Sequence, residues 1–307
     1  MKNLFKILIT CLFFYNCSET DVLNETGNLE VTDFHLPVLP PNFEYEGWLL
    51  VDGSYVSVGK ITNDSLTNNR ARFSKIEMED LNRAQSFAIT VETSSSPAPS
   101  NFVLLVGDFN GNTATLSPNA EISNGVLSLA NRISASYTIQ NASVPATDTG
   151  NYDVNGVWFF KGEGANSERT LELDYYDLKY QAWLVKTIGN SNYNLNIGVI
   201  ENDTIADNSR IFIPSPYASN IPDFPGEDFL QQPGGENVPT FPENFFPVDV
   251  RGAKIIITPI LSGYNSIETP FPVHILEATI PTDAIKDPNL TRDFQINTNF
   301  GAKATKL

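Results

Sequence analysis

The amino-acid sequence predicts an all-β protein built from two tandem antiparallel β-sandwich domains of the immunoglobulin-like type. Two observations indicate this class. Short runs rich in β-branched and aromatic residues alternate with Gly, Pro, Asn and Asp turns along most of the chain. The one helical pattern, at residues 75–84, is short. Such spacing of strands and turns is typical of sandwiches rather than of α/β folds.

The chain also contains two copies of one pattern, which predicts two similar domains. Tyr45-x-x-Trp48 opens the first copy, and Tyr180-x-x-Trp183 opens the second. The later landmarks are a glycine in each copy (Gly59 and Gly198) and an Asp-Ser/Thr-aliphatic tripeptide (64–66 and 203–205).

The first residues predict export. A basic start with Lys2 and Lys6, an apolar run at 7–15 and then Cys17 indicate a secretory signal over 1–16. The run is too short to cross a bilayer, which takes about 20 residues. Cys17 stands where a bacterial lipoprotein carries its lipidated cysteine, although Asn16 replaces the usual small residue. The alternative is a secreted protein cut nearby. We expect an envelope lipoprotein, anchored in the outer membrane at its periplasmic or surface face.

The cysteine content and the net charge limit the classes of partner that we expect. The only cysteine besides Cys17 is Cys11, inside the leader, so the mature chain is expected to lack disulfides and thiolate metal sites. The formal net charge of −17 repels phosphate backbones, which excludes nucleic acid as an expected partner. We expect the membrane, reached through the lipid anchor, and an unknown protein or glycan as partners, with no cofactor and no metal.

The predicted order is a lipidated tether at 17–27, domain 1 at 28–145, domain 2 at 150–282 and a partly disordered tail at 283–307. Asp52-Gly53 and Asn110-Gly111 mark hairpin turns in domain 1. Domain 2 carries a long insertion at 213–247, rich in Pro, Gly and Phe. The strands expected in domain 1 are 29–36, 42–51, 54–61, 87–92, 101–109, 126–130 and 133–139, and those in domain 2 are 156–160, 170–173, the strand of Tyr180, 196–200, 254–259 and 270–276.

Several of these segments resemble a known family. The Tyr45-x-x-Trp48 strand, the segment 87–92, the loop with Pro97 and Pro99, and the segment 104–108 are similar to the extracytoplasmic domain of anti-sigma-K factors. The resemblance covers 42–109 well and 178–278 more loosely, because Pro259 stands in place of the glutamate of the motif. It implies an outer module for sensing or contact.

True anti-sigma factors of this kind also have a cytoplasmic helical clamp and a transmembrane helix, and neither is expected in this chain. The resemblance therefore does not imply direct binding of a sigma factor. A role as the outside partner of a signalling system stays open.

The aromatic residues offer candidate ligand contacts. Residues three apart on a strand point to opposite faces, so we expect one member of each Tyr–Trp pair in the core and the other at the surface. Packing is the simpler interpretation, and a platform for sugar or peptide is the alternative. Phenylalanines of the insertion are expected to cover a sheet edge or to form a binding rim. The candidate contacts are Tyr45, Trp48, Tyr180, Trp183, Phe224 and Phe229.

Catalytic patterns are weak, and we expect no enzyme. His35 and His274 are the only histidines, lie far apart in sequence, and are not accompanied by a Gly-x-Ser-x-Gly elbow. Among the carboxylates, Glu227 and Asp228 in the insertion are the best candidates for a glycosidase-like pair. Asp108 opens a sequence that partly resembles a calcium loop, for which a plain Asn-Gly hairpin is the alternative.

The tripeptides at 64–66 and 203–205 resemble an O-glycosylation site of exported proteins in the Bacteroidetes group. Ser65 and Thr204 would be the modified residues, and a capped structural turn is the alternative. Taken together, the sequence predicts a non-catalytic binding, contact or sensing module of the cell envelope. The alternatives are a partner in envelope signalling and a carbohydrate-binding or polysaccharide-active accessory protein.

Overall fold

The computed structural model describes residues 25–93, 98–120, 122–123, 126, 128–148, 152–234, 240–264, 266 and 268–307. The predicted signal segment, Cys17 and most of the tether lie outside these residues. The prediction of an all-β protein is confirmed, since the fold is 45% strand and 9% helix. The strand pairings among the described residues are antiparallel. These residues include no helix that is long and apolar enough to cross a membrane.

The first half of the chain follows the predicted strand order closely. Its strands are β1 (Thr26–His35), β2 (Phe43–Val51), β3 (Ser54–Ile61), β4 (Arg70–Glu77), β5 (Ser86–Thr93), β6 (Val103–Asn110), β7 (Thr113–Leu116) and β8 (Ser134–Ile139). Two short helices, α1 (Asn63–Thr67) and α2 (Met78–Arg83), flank β4, and a 3-10 helix occupies Leu129–Arg132. The predicted helix over 75–84 therefore begins later than expected, because residues 75–77 belong to β4, which pairs with β1. The strand expected at 126–130 is wrong where the structure describes it, since Leu129 and Ala130 lie in the 3-10 helix.

The second half contains shorter strands and longer connections. Its strands are β9 (Gly156–Trp158), β10 (Phe160–Lys161), β11 (Glu168–Arg169), β12 (Leu171–Glu172), β13 (Lys179–Ile188), β14 (Ser191–Ile200), β15 (Gly226–Asp228), β16 (Lys254–Ile260), β17 (Leu276–Thr279), β18 (Asp287–Asp293), β19 (Gln295–Ile296) and β20 (Gly301–Lys306). Two 3-10 helices occupy Gly164–Asn166 and Ser215–Asn220. The strand expected at 270–276 begins only at Leu276.

Three larger sheets organise these strands. An eight-stranded sheet has the order β3-β2-β5-β6-β7-β20-β1-β4, and a five-stranded sheet has the order β14-β13-β16-β17-β19. Between them in the chain, β12, β8, β9 and β15 form a further sheet in which β18 also pairs with β8. The hairpin of β10 and β11 is separate.

The C-terminal segment is not the disordered tail that its weak pattern predicts. Residues 287–293 pair with β8, and β20 is hydrogen-bonded between β1 and β7 inside the eight-stranded sheet. The prediction was wrong because small residues alternate there with polar ones. Ala302 and Ala304 point into the core, while Lys303 faces solvent.

One hydrophobic cluster connects residues of both halves of the chain. It contains Leu49 and Phe102 from the first half and Leu184 and Phe271 from the second. The ring of Phe271 packs edge-on to Phe43 at 5.4 Å. The two copies thus share buried apolar surface rather than facing water on all sides.

Candidate functional site

The two copies of the repeat form the same local structure. In both, the Tyr–Trp strand pairs with the strand that follows it and with a later one, giving β3-β2-β5-β6 and β14-β13-β16-β17. Each copy has a register shift just before its tryptophan, opposite a glycine: Gly59 at φ 125° in one and Gly198 at φ 143° in the other. The glycine landmarks are explained by this bulge, because other residues rarely adopt such φ values.

The register corrects one detail of the sequence comparison. Tyr45 lies opposite Val91, and Tyr180 lies opposite Pro259. Pro259 therefore corresponds to Val91 of the first copy. Ile260 corresponds to Glu92, which is the glutamate of the motif.

The tyrosines of the repeat are core residues. Tyr45 and Tyr180 are 1% and 0% exposed. The Tyr45 hydroxyl donates to the carbonyl of Pro37 at 2.9 Å, and that of Tyr180 donates to the carbonyl of Asp174 at 2.7 Å. Burial raises the pKa of both hydroxyls. Each tyrosine therefore ties its strand to the segment that precedes it.

The tryptophans lie on the opposite faces of their strands, yet they too are buried. Trp48 is 5% and Trp183 is 0% exposed, so the expectation that one member of each pair reaches the surface is wrong. Ile122 packs in a separate apolar cluster with Trp48, over the second face of the first sheet. In the other copy, Gln181 and Asn194, on the same face as Trp183, donate to the carbonyls of Ser266 and Glu268. In both copies, loops therefore cover the face of the sheet on which the tryptophan lies.

The two tryptophans differ in their hydrogen bonding. Trp48 Nε1 donates to Thr90 Oγ1 at 2.8 Å. Thr258 occupies the matching place in the second copy, but its hydroxyl donates to the carbonyl of Val273 at 2.8 Å. Trp183 Nε1 is buried and has no hydrogen-bond partner in the part of the chain that the structure describes.

We expect Trp183→Ala to destabilise the protein by about 3–5 kcal/mol, because it removes a fully buried indole from a packed interior. Urea denaturation followed by fluorescence or circular dichroism measures the loss. Trp183→Phe is the matched control, since it keeps an aromatic ring and removes the unpartnered N–H, and its loss should be clearly smaller. Equal stability of Trp183→Ala and the parent protein would contradict the packing role.

The proposed glycosylation residues occupy short capped turns. Ser65 lies in the first turn of α1, where Thr62 Oγ1 accepts its backbone N–H at 3.3 Å. Thr204 is exposed, and Asn202 Oδ1 accepts its backbone N–H at 2.8 Å. The caps are therefore formed by Thr62 and Asn202, which precede Asp64 and Asp203 in the chain. Glycosylation of Ser65 and Thr204 stays a prediction.

His274 and the calcium-like loop have structural partners. Asp108 accepts the Ser86 hydroxyl at 2.6 Å and the backbone N–H of Ser123 at 2.9 Å, while Gly111 forms the β6–β7 hairpin turn at φ 62°. His274 lies 3.1 Å from Glu277, and His35 lies in β1. In the part of the chain that the structure describes, no group of three or more His, Cys, Asp or Glu could hold a metal ion.

Glu227 and Asp228 are interior residues rather than a cleft pair, and both are 0% exposed. Asp228 Oδ1 accepts Trp158 Nε1 at 2.6 Å, and its Oδ2 accepts the backbone N–H and the hydroxyl of Ser143 at 2.8 and 2.6 Å. Burial raises the pKa of Asp228 to about 6, although these donors oppose the shift. Asp228 therefore acts as a structural acceptor.

Glu227 lies opposite Val157, on the other face of β15, and neither of its carboxyl oxygens has a hydrogen-bond partner among the described residues. Burial, followed by the charges of Asp207 and Asp228, raises its pKa well above the usual range. Burial also raises the pKa of Asp207 to about 7. The pattern of the sequence does not distinguish this buried acid from an exposed one.

The insertion positions one aromatic ring at an open cavity. Phe224 stacks on Phe160 with ring centroids 4.8 Å apart, and Phe160 packs edge-on to Trp158 at 5.8 Å. Because Trp158 is hydrogen-bonded to Asp228, a continuous stack runs from the buried carboxylate to Phe224. Phe229, by contrast, is 0% exposed and packs on Phe212.

The cavity beside this stack, which we call the Phe224 groove, has a volume of about 550 Å³. A volume of this size fits a small ligand. One of the groove's lining residues, Asn141, has a buried Nδ2 for which the described segments supply no hydrogen-bond partner. Its lining includes Asn141, Phe160, Glu163, Asp223, Phe224 and Lys286.

Other phenylalanines of the insertion cover a sheet edge. Phe241 and Phe245 lie 6.3 and 5.2 Å from the ring of Tyr193, on the edge strand β14. This packing agrees with the expectation of edge cover. Sequence reasoning named Phe224 but missed Asn141, Phe160 and Trp158, because their signal exists only once β9, β10 and the insertion meet.

The chain matches no protein-family model, no curated protein and no solved structure with which it was compared. The resemblance to anti-sigma-K outer domains thus rests on the residues given above. Only the chemistry of its own lining residues indicates what the Phe224 groove binds.

Proposed function

We propose that this protein is a non-catalytic, lipid-anchored binding module of the cell envelope, made of two tandem sandwich-like units, that holds a glycan in the Phe224 groove. The observation that carries the proposal is the Phe224 ring, held beside amide and charged side chains. A sugar ring has C–H faces that pack on an aromatic ring, and hydroxyls that bond to amides and carboxylates.

Rigidity of the ring supports this function. The stack of Phe224, Phe160 and Trp158 ends at Asp228, which is fully buried and accepts three hydrogen bonds. A preformed aromatic surface loses little conformational freedom when a ligand arrives, which favours binding.

The charges favour a neutral ligand. Glu163 and Asp223 line the groove together with the cation Lys286, and the whole chain carries −17. An anionic sugar would be repelled by this field.

We expect Phe224→Ala to weaken glycan binding roughly ten-fold or more, because stacking on an aromatic ring is removed while the fold is kept. Retardation in native gels that contain starch, β-glucan, xylan or galactomannan measures the binding. Ile188→Ala is the matched control, since Ile188 is a large apolar residue that is 47% exposed in the β13–β14 hairpin. The proposal fails if none of the four polysaccharides retards the parent protein, or if Phe224→Ala behaves like Ile188→Ala with the ligand that does.

A sensing role is the second candidate. The bulged Tyr–Trp unit, present in both copies, is the unit that resembles the anti-sigma-K outer domain. In that role a bound glycan would be the signal. A transcriptional reporter that responds to the glycan in cells with the parent protein, but not with Phe224→Ala, would support it, and an unchanged response would contradict it.

A further inference from the structure

Three further cavities lie across the β10–β11 hairpin from the Phe224 groove, and shared lining residues connect these three with one another. The β10–β11 hairpin separates that groove from a second cavity of about 540 Å³. Phe160 lines the groove and the next residue, Lys161, lines the second cavity. Strand β18 lines both as well, through Pro288 and Thr291.

Shared residues connect the remaining cavities. Arg169 and Glu172 line both the second cavity and a third of about 630 Å³. Tyr175 and Glu201 line both the third and a fourth of about 570 Å³, which also contains Tyr264. We call the four cavities together the track.

From this arrangement we infer that the glycan is a neutral polysaccharide whose chain occupies several sites of the track, an inference that rests on the proposed function. A mono- or disaccharide would need only the Phe224 groove. Each further cavity contains an aromatic side chain: Phe294 in the second, Tyr175 in the third, and Tyr175 with Tyr264 in the fourth.

Three cations of the second, third and fourth cavities are already paired. Arg169 binds Asp203 at 3.1 Å, while Arg132 binds Asp174 and Lys179 binds Glu201. Paired cations give an acidic ligand little attraction, whereas their remaining N–H groups can bond to hydroxyls.

Unpartnered polar atoms lie in the third cavity's lining residues. Arg132 Nε and the Tyr175 hydroxyl are buried and have no hydrogen-bond partner within the residues that the structure describes. A buried donor without an acceptor costs about 1–3 kcal/mol, so donors of this kind are expected where a polar ligand completes them.

Fragments of graded length from the polysaccharide that the parent protein retains test the inference. We expect the dissociation constant, measured by calorimetry, to fall roughly ten-fold or more from disaccharide to octasaccharide, because a second site binds an already tethered chain. Arg169→Ala and Lys179→Ala should reduce this gain and leave the disaccharide unaffected. Phe224→Ala should weaken every fragment.

Different experimental results would contradict the polysaccharide track and the proposed function. Equal affinity for all lengths, or no effect of Arg169→Ala and Lys179→Ala on the octasaccharide, overturns the polysaccharide track and leaves the Phe224 groove as a single site. Absence of binding to any fragment overturns the proposed function itself. Retention by gelatin in place of polysaccharide overturns both in favour of a polypeptide ligand. Both cations are more than half exposed, and the exposed pair Lys179–Glu201 contributes at most about 1 kcal/mol. Asp203, the partner of Arg169, is buried, so thermal denaturation has to verify that Arg169→Ala is folded.

Discussion

A chain that ends at Asn299, without β20, is expected to lose at least roughly 5 kcal/mol of stability, which is comparable with the whole stability of many domains. β20 is hydrogen-bonded to β1 on one side and to β7 on the other. Its removal deletes two ladders, whose hydrogen bonds contribute about 1 kcal/mol each. It also exposes the core where Ala302 and Ala304 are buried.

The loss should be concentrated at one edge of the sheet. In the order β7-β20-β1-β4, the described strands provide no other ladder between the pair β1–β4 and the rest of the sheet. Lys306 adds a hydrogen bond to the carbonyl of Ala84 at 2.9 Å and lies 4.1 Å from the centre of the Phe109 ring. We therefore expect proteolysis to begin within residues 26–77, and urea denaturation to show a lower midpoint.

Lys303→Ser is the control for this truncation, because Lys303 is exposed in the same strand. Its free energy of unfolding should stay within about 0.5 kcal/mol of that of the parent protein. Ala304→Asp should reproduce much of the truncation's effect by burying a charge in place of a methyl group. A truncated chain with an unchanged midpoint would show that β20 is dispensable.

The second large effect concerns Glu227, whose replacement by leucine is expected to stabilise the protein at pH 8. A buried carboxyl group without partners costs about 1–3 kcal/mol, and more when it is charged. Leucine is close in size and needs no hydrogen bond. We expect a gain of at least about 1 kcal/mol in the free energy of unfolding.

The pH dependence of that gain has a definite sign. The folded-state pKa of Glu227 is raised above its ordinary value of 4.5, mainly by burial and then by Asp207 and Asp228, while Arg210 opposes the shift. Above pH 4.5 the folded protein therefore binds more protons than the unfolded chain, so the stability contributed by this group falls as pH rises towards the folded-state pKa. The advantage of Glu227→Leu should thus be smallest near pH 4 and largest at alkaline pH.

Urea denaturation of both proteins between pH 4 and pH 9 measures this difference. Glu227→Gln should show the same trend, since it also cannot ionise. Glu79→Gln is the control, because the Glu79 side chain is 76% exposed and its ion pair contributes little. Parallel stability curves for the parent and Glu227→Leu would sink the assignment of Glu227 as a buried, unpaired acid.

Local patterns predict much of this fold. The Tyr–Trp strands, the glycines at the bulges and the Asn-Gly hairpin are all visible in the sequence, because strand propensity and turn geometry depend on near neighbours. The helix α2 lies within the segment that the sequence predicts as helical, although the first three residues of that segment belong to β4. The patterns do not predict β20 and β15, because segments that are far away in the sequence determine how these two strands pair.

The candidate site shows the same division. Phe224 stands out in the sequence as one aromatic residue in a long insertion. Its neighbour Phe160 comes from another strand, and the partner of Trp158 is Asp228. The carboxylates that suggested chemistry are directed inward, because the insertion folds back to pair β15 with β9.

By itself, the sequence determined the all-β class, the repetition of one strand unit and the acidic charge, because each follows from residue type and short-range period. Only the tertiary structure decided that both faces of the Tyr–Trp strands are covered, that the last strand completes the first sheet, and that the Phe224 ring stacks on Phe160. These outcomes depend on contacts between residues far apart in the chain, whose free energy of burial is not encoded in any single segment.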